Sequence, residues 1–384
     1  MICKAHQCIL VCVLLNLYAT NIGAKKIFGA QTDDGHGGAS NMTSSSDVVE
    51  RFNKVYITGT IKEARVYLPS IMGNTYILAS LFPSYSIIFA CDDEENVKIL
   101  SQWSKVDPKV KILYKNVENM TWHQDKIPWH GSYGRTDKLA LARNMLLDEV
   151  QRQQSQDLQH STTQDKQALM VVTDLDDVSE NILNTTMMQH VLQRSDEWDS
   201  VSFNTGEHYY DVWALRYGSP EVNVWSYDFV IKDPSMSNAS SWDTINNEKA
   251  RIKTTLRQYN GSFFPVASAF NGIALYKLQY IEGCSYVGWE KWADPTNKIS
   301  EGWHDCEHVP FHKCMIQRNK ARVVIFTPSS PYQPTKWVDC KDACAARSRE
   351  VGPLHNMVAR NDCRGTAIVY SVAHIRVRTV LQGH

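Results

Sequence analysis

Net charge is nearly absent from this sequence: 40 Lys and Arg face 41 Asp and Glu, a formal balance of -1 over 384 residues. Nucleic-acid binders depend on a basic excess to neutralise phosphates, so that partner class is excluded. The one basic gathering, Arg347, Arg349, Arg360, Arg364, Arg376 and Arg378, is read as solvated surface. Internal repeats are absent too, which sets aside repeat architectures. Beyond Ala24 no apolar run approaches the roughly 20 residues of a membrane-spanning helix. What remains is an ordinary globular composition, 43% hydrophobic, 10% aromatic and 21% charged, long enough for one large or two modest domains.

The N-terminus departs from that average. Lys4 precedes an apolar run from Cys8 to Ala19, and small residues follow up to Ala24. This is the order of a secretory signal peptide; the run is short for a membrane span and contains Asn16. Lys25 and Lys26 come directly afterwards, so residues 1–24 read either as a cleaved signal peptide or as a retained membrane anchor. Residues 25–60 read as a flexible stem because of the Gly/Ser-rich stretch Gly29–Asp47. Asn-x-Ser/Thr sequons begin at Asn41, Asn119, Asn184, Asn238 and Asn260. With the leader they fit a protein of the secretory pathway, in the Golgi or endoplasmic reticulum lumen or secreted. Of the 10 cysteines, Cys3, Cys8 and Cys12 lie in the leader. The odd remainder implies bridges plus a free thiol, for which Cys91, inside an apolar run, is the candidate.

From Arg65 onward, strand and helix patterns alternate. Arg65–Met72, Tyr85–Cys91 and Val110–Tyr114 are apolar runs of strand length, and Glu94–Ser104 has helical character. Thr136–Arg152 is an amphipathic helix with Leu139, Ala142, Leu146 and Val150 on one face and Thr136 as N-cap. A Gln-rich surface loop or helix extension follows to Gln167. Ala168–Thr173 is a buried strand, with a helix near Asn184–Arg194 and strands at Ser200–Phe203, Val212–Arg216 and Val323–Phe326. The alternation predicts an α/β domain over 61–335, a mixed sheet flanked by helices, with a disulfide-containing extension over 336–384.

The chemistry concentrates where the Ala168 strand ends, at Asp174, Asp176 and Asp177. Clustered carboxylates repel and call for a neutralising cation, and hard oxygen donors suit Mn²⁺ or Mg²⁺. Ligands of open α/β sheets bind beyond the carboxyl ends of strands, which suits a nucleotide diphosphate there. Arg135 and Arg143, on the preceding helix, are candidates to reach phosphate or carboxylate, while periodicity alone favours an ordinary amphipathic helix. A second cluster, His304–Cys314, holds Asp305, Cys306, Glu307, His308 and His312. Its spacing is not a standard zinc finger; a disulfide with functional Glu and His is preferred over structural zinc. Asp211 and Asn271 lie in mixed aromatic and polar segments suited to sugar hydroxyls.

The succession of CDDEEN, Arg143-Asn144, Asp176-Asp177-Val178, Tyr210-Asp211 through Arg216, Asn271-Gly272 and Cys306-Glu307 resembles glycosyltransferases of the GT-A fold. Within them it is most like the fungal capsule-associated α-1,3-mannosyltransferase family and related algal and viral sequences. The resemblance covers roughly residues 65–326. It departs from the fungal pattern in its full Asp-x-Asp-Asp, its Gln-rich insertion and its denser Cys/His segment. It implies a nucleotide-diphosphate sugar donor, a GDP- or UDP-sugar, a divalent metal, and a glycan or glycoprotein hydroxyl as acceptor. For the mannosyltransferases it implies GDP-mannose and retention of configuration.

The expected assignment follows. Asp174, Asp176 and Asp177 hold the metal, with His308 or His312 as a further ligand. Asp92, Asp93, Arg135, Arg143, Asn144 and Asn271 contact the donor. Asp211, Asp305 and Glu307 are the candidates for proton transfer or acceptor positioning. The competing classes are a secreted metal-dependent hydrolase and a non-catalytic carbohydrate-binding protein.

Overall fold

A computed structural model describes residues 51–61, 64–116, 135–160, 167–176, 181–204, 209, 211–218, 239–291, 302–327 and 332–336. The leader, Asp177, Tyr210, Asn41, Asn119, Asn238, Cys340, Cys344, Cys363 and the extension beyond Lys336 lie outside these residues. The chain runs β1 (Phe52–Thr60), α1 (Ala64–Ala79), β2 (Ser84–Cys91), α2 (Glu94–Val106), β3 (Val110–Tyr114), α3 (Arg135–His160) and β4 (Gln167–Asp174). It continues through β5 (Asn181–Leu183), α4 (Thr185–Gln193), β6 (Ser200–Phe203), α5 (Ala239–Arg257), β7 (Phe263–Pro265) and β8 (Ile273–Lys277). It closes with β9 (Trp289–Lys291), β10 (Gly302–His304), α6 (His308–Asn319), β11 (Val323–Phe326) and β12 (Tyr332–Lys336).

Eight strands form one mixed sheet in the order β3-β2-β1-β4-β8-β6-β11-β7. β3, β2, β1 and β4 are parallel. β8 runs antiparallel between β4 and β6, β11 is parallel to β6, and β7 closes the edge antiparallel. Side chains alternate across each strand. Val55 and Ile57 therefore face a core shared with α1, α2 and α4, while Tyr56 faces one shared with α3 and α6. A third cluster packs Ile252 and Leu256 of α5 on Val323 and Ile325. The expected mixed α/β sheet flanked by helices is thus what the chain forms.

Local chemistry sets the element ends. Asp93 begins α2 by accepting the Asn96 N–H at 2.9 Å, and Asn184 begins α4 by accepting that of Met187 at 3.1 Å. Gly59 lets β1 close against β4, since a Cβ there would lie 2.5 Å from the Leu175 side chain and 2.7 Å from the Thr173 carbonyl oxygen. Thr60 stands opposite Asp174, so the carboxyl ends of β1 and β4 lie side by side. The strand order reverses at this point, with β2 and β3 on one side of β1 and β4 on the other. Open α/β sheets bind ligands at such switch points.

Several expectations are corrected. Phe52–Thr60, placed in the stem, is a central strand with Val55, Tyr56, Ile57 and Thr58 all buried, and the Thr58 hydroxyl donates to the Val171 carbonyl at 2.8 Å. Arg65–Met72 is helical, part of α1, whose Leu68, Ile71, Met72, Leu78 and Ala79 are buried. Val212–Arg216 is a turn carrying a single bridge from Arg216 to Ser268. Thr136 lies within α3 rather than capping it, and the helix continues through the Gln-rich segment to His160.

Candidate active site

β4 delivers Asp174 to the carboxyl edge of the sheet, where the Gly272 carbonyl accepts its backbone N–H at 2.8 Å. Gly272 adopts φ 84°, a conformation glycine takes without strain. Its neighbour Asn271 is fully buried. The Asn271 Oδ1 accepts the Asp211 N–H at 2.9 Å, and its Nδ2 donates to the Phe203 carbonyl at 2.9 Å. One Asn-Gly turn therefore fixes the end of β4, the end of β6 and the start of the Asp211 turn. The expectation that Asn271 meets the donor is corrected: its side chain is a buried strut.

Arg143 reaches across from α3. Its Nε donates to Glu307 Oε1 at 2.8 Å and its Nη2 to Asp174 Oδ1 at 3.2 Å. The guanidinium also lies 4.9 Å from the Phe270 ring centroid. Burial opposes its charge, but Glu307 and then Asp174 more than offset this and raise its pKa. Glu307 immediately precedes α6, so a single ion-pair chain joins α3, β4 and α6.

Among the described residues the carboxylates of this cluster outnumber the cations. Asp174 is pushed up to about 6, chiefly by burial, with Arg143 opposing and Asp176 and Glu307 adding repulsion. Asp211 is pushed up to about 7 by burial, then by Glu307 and Asp174. One Asp211 oxygen accepts the Ala214 N–H at 3.2 Å, and Asp211 forms no ion pair among the described residues. Arg135, exposed at the start of α3, stands with its guanidinium 6.0 Å from the Trp213 ring centroid, on the Asp211 side of the cluster. The third candidate carboxylate is differently placed: Asp305 accepts from the buried Arg216 Nη2 at 2.5 Å and from the Cys306 N–H at 2.8 Å.

The remaining assignments are revised by their surroundings. His312 is fully buried, with Nδ1 3.0 Å from the Ser268 hydroxyl and Nε2 3.1 Å from the Tyr276 hydroxyl. Both nitrogens are engaged, and burial lowers its pKa to about 3, so it is a neutral core histidine rather than a metal ligand. His308 stacks on Phe270 at 4.0 Å with rings 12° apart, and burial followed by Arg143 holds its pKa well below the ordinary range. Both its nitrogens are enclosed and without hydrogen-bond partners among the described residues, with Nε2 3.7 Å from Glu307 Oε1. Asn144 exchanges two hydrogen bonds with the Tyr286 backbone, each 2.8 Å, and is a latch rather than a donor contact. Asp93 is the α2 cap, and Asp92 is exposed beside it at the end of β2. Among the described residues no three His, Cys, Asp or Glu converge as a metal cage.

No protein-family model matches the sequence, and no curated protein matches it. Solved structures do. One is the mannosyltransferase PcManGT from Pyrobaculum calidifontis, in complex with GDP-Man and Mn²⁺, at 12% identity and a TM-score of 0.33, covering 93% of this chain and 81% of that one. Another is S. aureus TarS 1-349 in complex with UDP-GlcNAc, at 12% identity and a TM-score of 0.32, covering 76% of this chain and 64% of that one. The chain thus spans less than two thirds of the TarS chain. Likeness this distant bears on neither substrate nor site residues.

Four residues that shape the site carried no assigned role in the sequence reading. Arg216 is fully buried and holds Asp305 while donating to the Trp213 and Leu215 carbonyls. Tyr286 and Gly288 bring the segment before β9 onto α3; a Cβ on Gly288 would lie 2.4 Å from backbone atoms of Thr136 and Asp137. Cys284 is bonded to Cys314 of α6, so Cys306 joins Cys91 as a free thiol. Only Arg216 carried a signal, an arginine inside an otherwise apolar WALR run.

Proposed function

We propose that this chain is a metal-dependent glycosyltransferase that moves a hexose from a nucleotide-diphosphate sugar to a carbohydrate hydroxyl on a glycan or glycoprotein. The observation that carries the reading is the carboxylate excess among the described residues, Asp174 and Glu307 on Arg143 with Asp176 and Asp211 close by, at the strand-order switch point of the sheet. Such an excess suits a cation and a ligand that brings one, as a nucleotide diphosphate does. Localisation in the secretory pathway, a GDP- rather than UDP-sugar, and mannose as the hexose belong to the same reading and rest on the leader and the sequence resemblance.

Asp174 and Asp176 fit Mn²⁺ or Mg²⁺, since such ions bind through one or two carboxylates and leave other positions to water and substrate phosphates. When bound, the ion supplies Lewis-acid neutralisation of the departing diphosphate. The chain's own groups do the rest. Arg143 holds Asp174 and Glu307 in fixed positions, so little reorganisation is needed during reaction. Glu307 and Asp305 are each committed to an arginine. Asp211, with one oxygen fixed and a pKa near neutrality, is the carboxylate placed to exchange a proton with the acceptor hydroxyl.

The full chain, made in a secretory host, is tested for nucleotide release from a panel of UDP- and GDP-sugars with Mn²⁺ or EDTA, beside Asp176→Ala. Release from one donor, abolished by EDTA and by the substitution, supports the proposal. If no nucleotide binds in a metal-linked way, the proposal fails and the hydrolase or carbohydrate-binding reading takes its place.

A further inference from the structure

Two of the sequons lie among the described residues, and the fold treats them differently. Asn184 is half-buried, and its side chain caps α4 by accepting the Met187 N–H at 3.1 Å. Asn260 sits on the turn between α5 and β7, exposed and without a hydrogen bond among the described residues. Its neighbours are tied down instead. The Tyr259 carbonyl accepts the Ser262 N–H at 2.7 Å, the Gly261 carbonyl accepts Arg194 Nη1 at 2.7 Å, and the Ser262 carbonyl accepts the Thr327 N–H at 3.1 Å. Gly261, at φ 69°, has nothing within 4 Å of where a Cβ would stand. A fixed turn thus presents one amide into open space.

We infer that Asn260 is an N-glycan acceptor site, and that its glycan guards the β7 edge of the sheet. Among the described strands β7 is the last of the sheet, and a sheet edge invites pairing with another chain unless something covers it. Pro265 already removes one edge donor. A glycan at Asn260, just before Phe263, would screen the approach with a bulky hydrated group. Phe263 pairs with Phe326, the last residue of β11, so the glycan rises from the same sheet edge as Asp174. It is four strand spacings away, roughly 19 Å at about 4.8 Å each, and leaves the site open. In the transfer, the Asn260 amide nitrogen attacks C1 of a polyprenyl-pyrophosphate-linked oligosaccharide. The C1–N bond forms as the C1–O bond to pyrophosphate breaks, the amide proton passes to a base of the glycan-transferring enzyme, and the lipid pyrophosphate departs.

The inference rests on passage through the secretory pathway but not on the glycosyltransferase reading. The full chain is expressed in secretory cells, treated with peptide-N-glycosidase in ¹⁸O water and analysed by peptide mass spectrometry. Conversion of Asn260 to ¹⁸O-labelled Asp is expected. Asn260→Gln and Ser262→Ala should each remove one glycan step of gel mobility and leave nucleotide release unchanged. An unmodified Asn260 overturns the inference. With glycans at Asn41 or Asn119 it does so alone; with none anywhere, the secretory reading falls with it.

Discussion

Two of the buried ionic clusters among the described residues differ in their arithmetic. Around Asp199 a single carboxylate, 1% exposed, meets two cations: Arg322 through Nε at 2.9 Å, Nη2 at 3.0 Å and its backbone N–H at 2.9 Å, and Lys277 at 3.2 Å. Burial pushes the Asp199 pKa up, but the Arg322 bonds outweigh it and the net shift is downward. Around Arg143, the one buried cation of that cluster among the described residues, several carboxylates gather, and the pKa values of Asp174 and Asp211 rise. The first cluster is complete and ties β6, β8 and β11 together. Among the described residues the second holds more carboxylates than cations, the arrangement expected of a binding site for a cation-bearing ligand rather than of a structural ion-pair network.

The largest effect that would break this contrast comes from removing its cation. Arg143→Met leaves the half-buried Asp174 and the buried Glu307 without that partner, which costs about 3–5 kcal/mol of stability for such pairs. Thermal unfolding should show the loss at pH 7.5 and a smaller one at pH 5.5, where protonation relieves the repulsion. A loss of the same size at both pH values would mean that Arg143 contributes packing on Phe270 rather than charge.

Much of the contrast was invisible in sequence for physical reasons. β2, β3, β4 and the Asp-rich end of β4 were legible, because strand-length apolar runs with a carboxylate terminus have few other meanings. α1 was not, since a helix buried along most of its length loses its polar face and reads like a strand. β1 was masked by the Gly/Ser-rich stretch before it, although Val55 to Thr58 are its most buried stretch. The pairing of Arg143 with Glu307 spans 164 residues and follows from topology alone. His312 reads as a ligand because composition cannot tell a ring held between the Ser268 and Tyr276 hydroxyls from one facing solvent.

The next effect sharpens the contrast through the ion. Mn²⁺ binds deprotonated carboxylates, and the Asp174 carboxyl is held up to about 6. Saturating Mn²⁺ should therefore raise the unfolding temperature more at pH 7.5 than at pH 5.5. At a hundredfold excess over Kd the gain is about 2.7 kcal/mol. Asp174→Asn should abolish that gain, whereas Asp199→Asn should leave it in place on a destabilised background. Equal stabilisation of wild type and Asp174→Asn would place the ion elsewhere.

The smallest effect is read from the slope of stability against pH in metal-free protein. Asp211 has a folded pKa of about 7, above its ordinary 3.8, so the folded state binds its proton more tightly than the unfolded state. The stability this contributes is fully present below about pH 4 and is lost as pH rises towards 7. Partial exposure trims the effect to about 1–2 kcal/mol. Asp211→Asn should flatten the slope between pH 4 and 7, leaving the smaller part that Asp174 supplies. At Asp199 the sign reverses: its lowered pKa gives stability that is present above the ordinary carboxylate range and lost only as pH falls through the lowered value. Denaturant titrations of wild type, Asp211→Asn and Asp199→Asn at half-unit pH steps separate the two cases. If the Asp211→Asn slope matches wild type, Asp211 is an ordinary surface carboxylate and loses its place as the proton-exchanging group.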